Sequence, residues 1–312
     1  MKRALAILGI LLVATTLFGS GKSEAGGKGA KWVVGYVNLA DTDVFCLFRE
    51  TAVGKLAKDN PNLEMRYADA NADMTKELNQ VDNFIVQKVN TIILVPVDIE
   101  GIVPGIKKAN EAGIPVICFG GKSNGGDYTF VGSQDIDAGR IQGQFMMKNL
   151  PPNAKILYLQ GTPGMNAARD RLRGFTEECL NKRPDVTVLS NLPGDFLRDK
   201  GMKITEDWIQ SFPQFDAIVA ANDQMALGAI QALKVANRLN GVLISGVDGT
   251  PDACNAIKAG EMSQSVFQNA AGQAVKCYEA LQTLMKKQTL PKEVLVPFES
   301  ITKENVDQYL KK

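Results

Sequence analysis

The sequence contains no histidine. The chain therefore lacks the side chain that most often serves as a general acid or base near neutral pH, and it lacks the commonest metal ligand. Two nucleotide-binding patterns are also missing, GxGxxG at a strand–helix junction and GxxxxGK followed by serine or threonine. We therefore expect a protein that is not an enzyme and that has no cofactor or metal site.

The chain also lacks an excess of charge of either sign. It has 35 lysine and arginine residues against 34 aspartate and glutamate residues. Proteins that bind nucleic acid usually carry a basic excess or a basic patch. We expect no nucleic-acid partner.

The cysteines are few and far apart in the sequence. They form no CxxC pair and no group with zinc-site spacing. Each has apolar neighbours, so we expect free thiols buried in the core rather than disulfides. These residues are Cys46, Cys118, Cys179, Cys254 and Cys277.

The N-terminus has the order of segments found in a secretory signal peptide. Lys2 and Arg3 precede an apolar run over residues 4–18, and small and polar residues follow. A helix of that length spans roughly 22 Å, less than the ~30 Å hydrocarbon core of a bilayer. We expect residues 1–25 to form a signal peptide and tether that directs export to the periplasm. Gly21 stands about where a lipoprotein would have its essential cysteine, so a lipid anchor is not supported.

Short apolar runs alternate with amphipathic stretches along the rest of the chain. This alternation is typical of parallel sheets with helices on both faces. The runs are too many for one small sheet, so we predict an α/β protein with two doubly wound sheets. The predicted strands are 32–38, 63–68, 91–95, 115–119, 154–160, 186–191, 217–221, 242–247 and 263–267, and the predicted helices include 74–88, 102–112, 136–150, 167–181, 202–212 and 224–237.

Polar residues stand at the ends of two predicted strands. Asn222 follows the strand at 217–221, and Asp248 precedes Gly249 and Pro251 after another strand. Ligands of open α/β sheets bind outside the carboxyl ends of the strands, so these residues are candidates for a binding site. The alternative is that they only cap the helices that follow.

Three motifs occur in the order and spacing of a known family. They are residues 160–171 (QGTPGMNAARDR), 222–229 (NDQMALGA) and 246–252 (GVDGTPD). In these motifs the chain resembles the ribose-binding proteins of the type I periplasmic binding protein superfamily, the solute-binding components of ABC importers. The resemblance covers essentially the whole chain after the N-terminal segment.

This resemblance implies two Rossmann-like lobes joined by a hinge of three strands, with a sugar bound in the cleft between them. The N-terminal lobe would comprise residues 31–133 and 269–293. The C-terminal lobe would comprise residues 134–268 and 294–312.

The resemblance also implies a set of sugar-binding residues. Arginine, aspartate and amide side chains would hold hydroxyl groups through directed hydrogen bonds, and aromatic rings would cover apolar sugar faces. The alternatives are a surface ion pair for the arginine, a helix cap for the asparagine and core positions for the phenylalanines. The residues are Phe45, Arg171, Phe196, Asn222, Asp248 and Gln268.

The N-terminal lobe departs from the ribose-binding pattern. After the strand that ends at Phe119, ribose-binding proteins place an Asp-Arg pair that grips hydroxyls, whereas Gly120 and Gly121 stand here. Unpaired polar groups in a closed cleft cost about 1–3 kcal/mol each, so we expect a sugar or polyol other than ribose. Replacement contacts compete with turn or surface roles at Asn38, Asp41, Asp43, Gly120 and Lys122.

The predicted function is the capture of a small sugar or sugar alcohol by hinge closure and its delivery to the membrane permease of an ABC importer. We expect a monomer. Two alternatives stay open: binding of an autoinducer-type furanose, and presentation of the ligand to a chemoreceptor or sensor kinase. A transcription regulator with this core would need a helix-turn-helix head before it, and the sequence has a predicted signal peptide there instead.

Overall fold

The computed structural model describes residues 31–310. The predicted signal peptide and tether at 1–25 lie outside the described residues. Within residues 31–310, no helix has both the length and the apolar character needed to cross a bilayer.

Two sheets form the framework of the described chain. The first contains β1 (Trp32–Asn38), β2 (Leu63–Asp69), β3 (Thr91–Leu94), β4 (Val116–Phe119), β5 (Thr129–Gly132) and β11 (Glu293–Leu295). The second contains β6 (Lys155–Gln160), β7 (Thr187–Pro193), β8 (Ala217–Ala220), β9 (Leu243–Asp248), β10 (Gln264–Gln268) and β12 (Phe298–Ile301). Their strand orders are β11-β5-β4-β3-β1-β2 and β12-β10-β9-β8-β6-β7. Neighbours are parallel in both sheets, except that β12 runs antiparallel to β10.

Helices connect the strands. They are α1 (Val44–Lys58), α2 (Met74–Val86), α3 (Val103–Glu111), α4 (Asp135–Asn149), α5 (Asn166–Phe175), α6 (Arg198–Ser211), α7 (Asp223–Val235), α8 (Pro251–Ala259) and α9 (Ala270–Met285). A π-helical turn at Thr176–Leu180 continues α5, and a 3-10 turn at Val306–Gln308 follows β12.

Helices cover both faces of each sheet because both sets of alternating strand side chains are apolar. In β3, Ile93 packs into the core beneath α1 and α9, while Ile92 and Leu94 pack into the core beneath α2 and α3. In β6, Leu157 and Ile156 divide in the same way between two cores. We call the first sheet with its helices the first lobe and the second sheet with its helices the second lobe.

The chain passes between the sheets three times. It leaves β5 for α4 after Gly132, leaves β10 for α9 after Gln268, and leaves β11 for β12 after Leu295. The predicted boundary gives Val294 and Leu295 to the C-terminal lobe, whereas their strand pairs with β5 in the first sheet. The division of the chain into lobes at particular residues stays a prediction.

The cysteines match the expectation for a reduced core. All five are buried, and none forms a disulfide. Burial raises the pKa of each thiol, most clearly at Cys118. The thiols are therefore held in their protonated form.

Candidate functional site

A cavity of about 220 Å³ lies between the carboxyl ends of strands from the two lobes. The start of α1 and the turn after β4 form its first-lobe side. The start of α5, the turn before α6 and the segments after β8 and β9 form its second-lobe side. Its wall includes the predicted residues Phe45, Arg171, Phe196, Asn222, Asp248 and Gln268, together with Asp43 and Gly120.

Arg171 forms the centre of the second-lobe side. It projects from α5, is only 4% exposed, and pairs with the buried Asp135 at 2.9 Å between Nη2 and Oδ1. Its Nη1 donates to the carbonyl of Ala221 at 2.6 Å, and its Nη2 donates to Oε1 of Gln268 at 3.2 Å. The guanidinium is thus fixed by groups from three other segments of the chain before any ligand is considered.

Asp135 is the counter-ion that holds Arg171. It stands at the start of α4, directly after the first crossing between the sheets. Burial raises its pKa, and the adjacent Arg171 guanidinium partly offsets that rise. The ion pair lies inside the protein, so removing either partner would leave an uncompensated buried charge.

Asp248 presents a carboxylate to the cavity. It is the last residue of β9, is 6% exposed, and has a backbone φ of +123°, which non-glycine residues rarely adopt. Within residues 31–310 its side chain makes no hydrogen bond. Burial raises its pKa well above the ordinary value, Arg171 acts in the opposite direction, and Asp223 and Asp43 add to the rise.

Asp223 stabilises the turn that carries Asp248 through hydrogen bonds. This buried carboxylate accepts from the backbone N–H and hydroxyl of Thr250 at 2.8 and 3.1 Å, and from the hydroxyl of Ser265 at 2.6 Å. Burial raises the pKa of Asp223 to about 6, although these hydrogen bonds act to lower it. The strained conformation of Asp248 is therefore supported by a fixed turn.

Asn222 and Phe196 are joined at the edge of the cavity. Asn222 caps α7 by accepting from the N–H of Met225 at 3.0 Å, and its amide donates to the carbonyl of Phe196 at 3.0 Å. The Phe196 ring lies against Gly161, where a Cβ atom would overlap it, and 5.8 Å from Cζ of Arg171. Asn222 is thus both a helix cap and part of the cavity wall.

The first-lobe side contains a second buried arginine. Arg49 projects from α1, is 4% exposed, and lines the cavity. Its Cζ lies 5.1 Å from the ring centre of Phe45 and 5.4 Å from that of Phe119. The guanidinium extends over Gly120, where a Cβ atom would overlap Nη1.

The two lobes touch beside the cavity. Asn166, at the start of α5, accepts from the backbone N–H of Lys122 at 3.0 Å and donates to Oδ2 of Asp135 at 2.7 Å. Nearby, the N–H of Ile99 donates to the carbonyl of Gly164 at 3.3 Å. A hydrogen-bonded path therefore runs from the turn after β4 to the ion pair that holds Arg171.

A larger and more open groove of about 940 Å³ adjoins the cleft. Apolar residues of α1 and α9 line much of it, including Phe48, Leu56 and Val275, each at least 36% exposed. It lacks the buried arginines that converge on the smaller cavity. The smaller cavity is therefore the candidate for a small polar ligand.

The family model for the periplasmic binding protein domain matches residues 34–289. The chain belongs to the periplasmic binding protein family. The xylitol-binding protein of Mycolicibacterium smegmatis is 33% identical over 97% of this chain and 86% of its own length. A ribose import binding protein of Haemophilus influenzae is 34% identical over 74% of this chain and 78% of its own length.

Solved structures agree with this family membership. A solute-binding protein of an ABC transporter from Bacillus halodurans, crystallised with myo-inositol, has a TM-score of 0.87 and 32% identity. The similarity covers 91% of this chain and 99% of that one. The chain is therefore a type I periplasmic binding protein of the sugar- and polyol-binding ABC family, and this family consists of substrate-binding proteins rather than enzymes.

In this periplasmic binding protein, the six residues predicted to bind ligand surround one cavity. The structure brings together Phe45 from the first lobe and the other five from the second. Arg171 is not in a surface ion pair, because its partner Asp135 is buried. Their contact with a ligand stays a prediction.

The five candidates proposed as replacement contacts fall into two groups. Asp43 and Gly120 line the cavity, and Asp43 also caps α1 by accepting from the N–H of Cys46. Asn38, Asp41 and Lys122 do not line it. Asn38 donates to Asp41 at 2.8 Å, and Lys122 Nζ donates to Gln134 and Glu293 at 2.9 and 2.8 Å beside the crossings.

Sequence reasoning missed three buried charged groups of this site, Arg49, Asp135 and Asp223. Asp135 and Asp223 stand in the first turns of their helices, where an acidic residue is expected for the helix dipole alone. Arg49 lies within α1 and has no motif around it. Arg49 lies over Gly120, which is far away along the chain. The glycine at this position, in place of a charged residue, was the only feature of the sequence that could have pointed to Arg49.

Proposed function

We propose that this protein is an exported solute-binding component of an ABC importer that captures a small polyol or sugar between its two lobes. The observation that carries the proposal is the convergence of Arg171, Asn222, Asp248 and Gln268 on a small cavity between the lobes. Donors and acceptors fixed in a desolvated cleft are what a ligand with several hydroxyl groups needs.

The ligand that we propose is a polyol, either linear or cyclic, rather than ribose. The Asp-Arg pair expected for ribose is absent at Gly120 and Gly121. Among relatives, one is named for xylitol and one was crystallised with myo-inositol. These relatives support the class of ligand, and the glycine pair supports the exclusion of ribose.

Capture would proceed by closure of the lobes about the three crossings. A ligand that contacts both lobes favours the closed form by its extra contacts there. The bridge from Lys122 through Asn166 to Asp135 joins the lobes beside the cavity and would form part of the closed state. The importer would then receive the ligand from the closed protein.

A thermal-shift panel tests the proposal on protein expressed without residues 1–25. The panel contains myo-inositol, xylitol, D-ribose and L-arabinose, each over a range of concentrations. We expect one polyol to stabilise the protein, by about 4 kcal/mol at 1,000 times its dissociation constant. Absence of any stabilisation would contradict the sugar and polyol class, and ribose as the strongest stabiliser would contradict the proposed ligand.

A further inference from the structure

The geometry points to Arg49 as a ligand-binding residue of the first lobe. We propose that its guanidinium binds oxygen atoms of the ligand at the place where the relatives of ribose-binding type carry their charged pair. This inference rests on the proposed function and adds to it a specific first-lobe contact. The ligand edge that faces the first lobe would then present oxygen atoms that accept hydrogen bonds.

Arg49 is a buried cation with most of its hydrogen-bond donors unused. Within residues 31–310 it forms no ion pair, and its one hydrogen bond goes from Nη2 to Sγ of Cys46 at 3.2 Å. Nε is buried and has no acceptor. A thiol is a weak acceptor, and an unpaired buried charge is costly, so folding alone gives no reason for a guanidinium at this site.

The surroundings of Arg49 position its guanidinium rather than neutralise it. The aromatic rings of Phe45 and Phe119 flank the guanidinium and hold it by cation–π contacts. Gly120 leaves the space that Nη1 occupies, because any larger residue would place its Cβ there. The glycine that removes one charged group from the cleft thus admits another from a different helix.

The charges that face each other across the cavity indicate what fits between them. Arg171 is paired with Asp135 and Arg198 with Asp252, at 2.9 and 2.8 Å. Among residues 31–310, Arg49 and Asp248 form no ion pair, and Arg49 acts to lower the pKa of Asp248. A neutral polyol satisfies both, with oxygen lone pairs toward Arg49 and hydroxyl protons toward Asp248.

Arg49→Met tests the proposal, because methionine keeps the apolar length of the side chain and removes the charge. The affinity for the panel member that stabilises the wild type is measured by isothermal titration calorimetry, with myo-inositol as the first probe. The urea midpoint of the ligand-free protein is measured in parallel. Arg66→Met is the matched control, because Arg66 is a partly exposed first-lobe arginine paired with Glu64 outside the cavity.

We expect Arg49→Met to weaken binding roughly 10- to 150-fold, the range for hydrogen bonds to a charged group. Its urea midpoint should be unchanged or higher, because a buried unpaired cation is removed. Arg66→Met should keep the wild-type affinity. Wild-type affinity in Arg49→Met, or a lowered midpoint, would overturn the proposal and make Arg49 a structural residue.

The failures of the two proposals are distinguishable in this experiment. If no panel member binds the wild type, the proposed function fails, and the inference that rests on it fails with it. If a panel member binds the wild type and binds Arg49→Met equally well, the proposed function stands and the inference alone fails.

Discussion

The two sides of the cleft hold their arginines in different ways. On the second-lobe side, Arg171 has a carboxylate partner in Asp135 and hydrogen bonds to Ala221 and Gln268. On the first-lobe side, Arg49 is as deeply buried, but among the described residues its only hydrogen bond goes to the thiol of Cys46. The Arg171 guanidinium already has hydrogen-bond partners in the protein, whereas most N–H donors of Arg49 have none among the described residues.

This difference separates two roles that the sides of the cleft would have in binding. A site whose groups are fixed by their own lobe keeps its geometry in the open and closed forms, which lowers the cost of binding. A group with unused donors depends on the ligand for its partners, and it rejects ligands that do not supply them. We therefore propose that the second lobe provides general recognition of hydroxyl groups and that the first lobe selects the ligand.

The largest expected effect is that of Arg171→Met. Removal of the guanidinium leaves Asp135 as an uncompensated buried charge, which should lower the free energy of unfolding by about 3–5 kcal/mol and abolish ligand binding. Urea unfolding and calorimetry measure the two effects. The double variant Arg171→Met with Asp135→Leu should regain stability without regaining binding. Stability unchanged in the single variant would contradict the difference between the two arginines.

Asp248→Asn should affect binding while sparing the fold. The substitution keeps the shape of the side chain and replaces a carboxylate that has no hydrogen-bond partner in its own lobe, so we expect binding to weaken by about 10-fold or more. The urea midpoint should stay or rise, because a buried charge is removed. Asp82→Asn, at a partly exposed residue paired with Lys108, is the control. Equal affinities in the two variants would show that Asp248 does not contact the ligand.

Asn166→Ala tests the bridge between the two sides. It removes the acceptor for the Lys122 N–H and a donor to Asp135, without altering a residue of the cavity wall. Loss of about one or two ordinary hydrogen bonds from the closed form should weaken binding roughly 5- to 10-fold. Calorimetry gives the affinity, and X-ray scattering gives the compaction on adding ligand. Full affinity with full compaction would exclude a role in closure.

The last prediction concerns pH and a carboxylate of the first lobe. Glu77 accepts from the N–H of Val97 at 3.1 Å, and burial raises its pKa to about 8 although this hydrogen bond acts to lower it. The pKa of Glu77 in the folded protein lies above the ordinary 4.5, so the contribution of this residue to the free energy of unfolding is complete below pH 4.5. That contribution is lost as the pH rises toward 8.

Over this range the free energy of unfolding should fall by at most about 1.4 kcal/mol per pH unit. Glu77→Gln should flatten this slope. Urea unfolding between pH 4.5 and 8.5 measures the change. Glu64→Gln, at a partly exposed glutamate on β2, is the control and should keep the wild-type slope. A slope that stays the same in Glu77→Gln would mean that Glu77 is ionised in the fold at neutral pH.

Much of the fold was predictable because short apolar strands alternate with amphipathic helices. The nine predicted strands are present with ends shifted by one or two residues, whereas the three- and four-residue strands β5, β11 and β12 were missed. β11 and β12 mix glutamate or serine with apolar residues, and β5 has only two apolar residues between a threonine and a glycine, so these runs carry too little pattern to separate a strand from a turn. The helix predicted at 202–212 in fact begins at Arg198. Its start was predicted too late because no capping side chain marks it.

The candidate site was predictable on one side only. The second-lobe residues follow strand ends in compact motifs, so order along the chain indicates proximity in space. Arg49 reaches Gly120 across the fold, from the middle of a helix, and no local pattern records that contact. The absence of the charged pair was evident from Gly120 and Gly121. The arginine that extends over Gly120 was not predicted.

The most direct test of the account is a crystal structure with the panel member that stabilises the protein most. We predict the ligand in the cavity between the lobes, with oxygen atoms within hydrogen-bonding distance of Asp248 and Arg171 on one side and of Arg49 on the other. A ligand seated in the outer groove beside Phe48 and Val275, or one that contacts neither Asp248 nor Arg49, would contradict it.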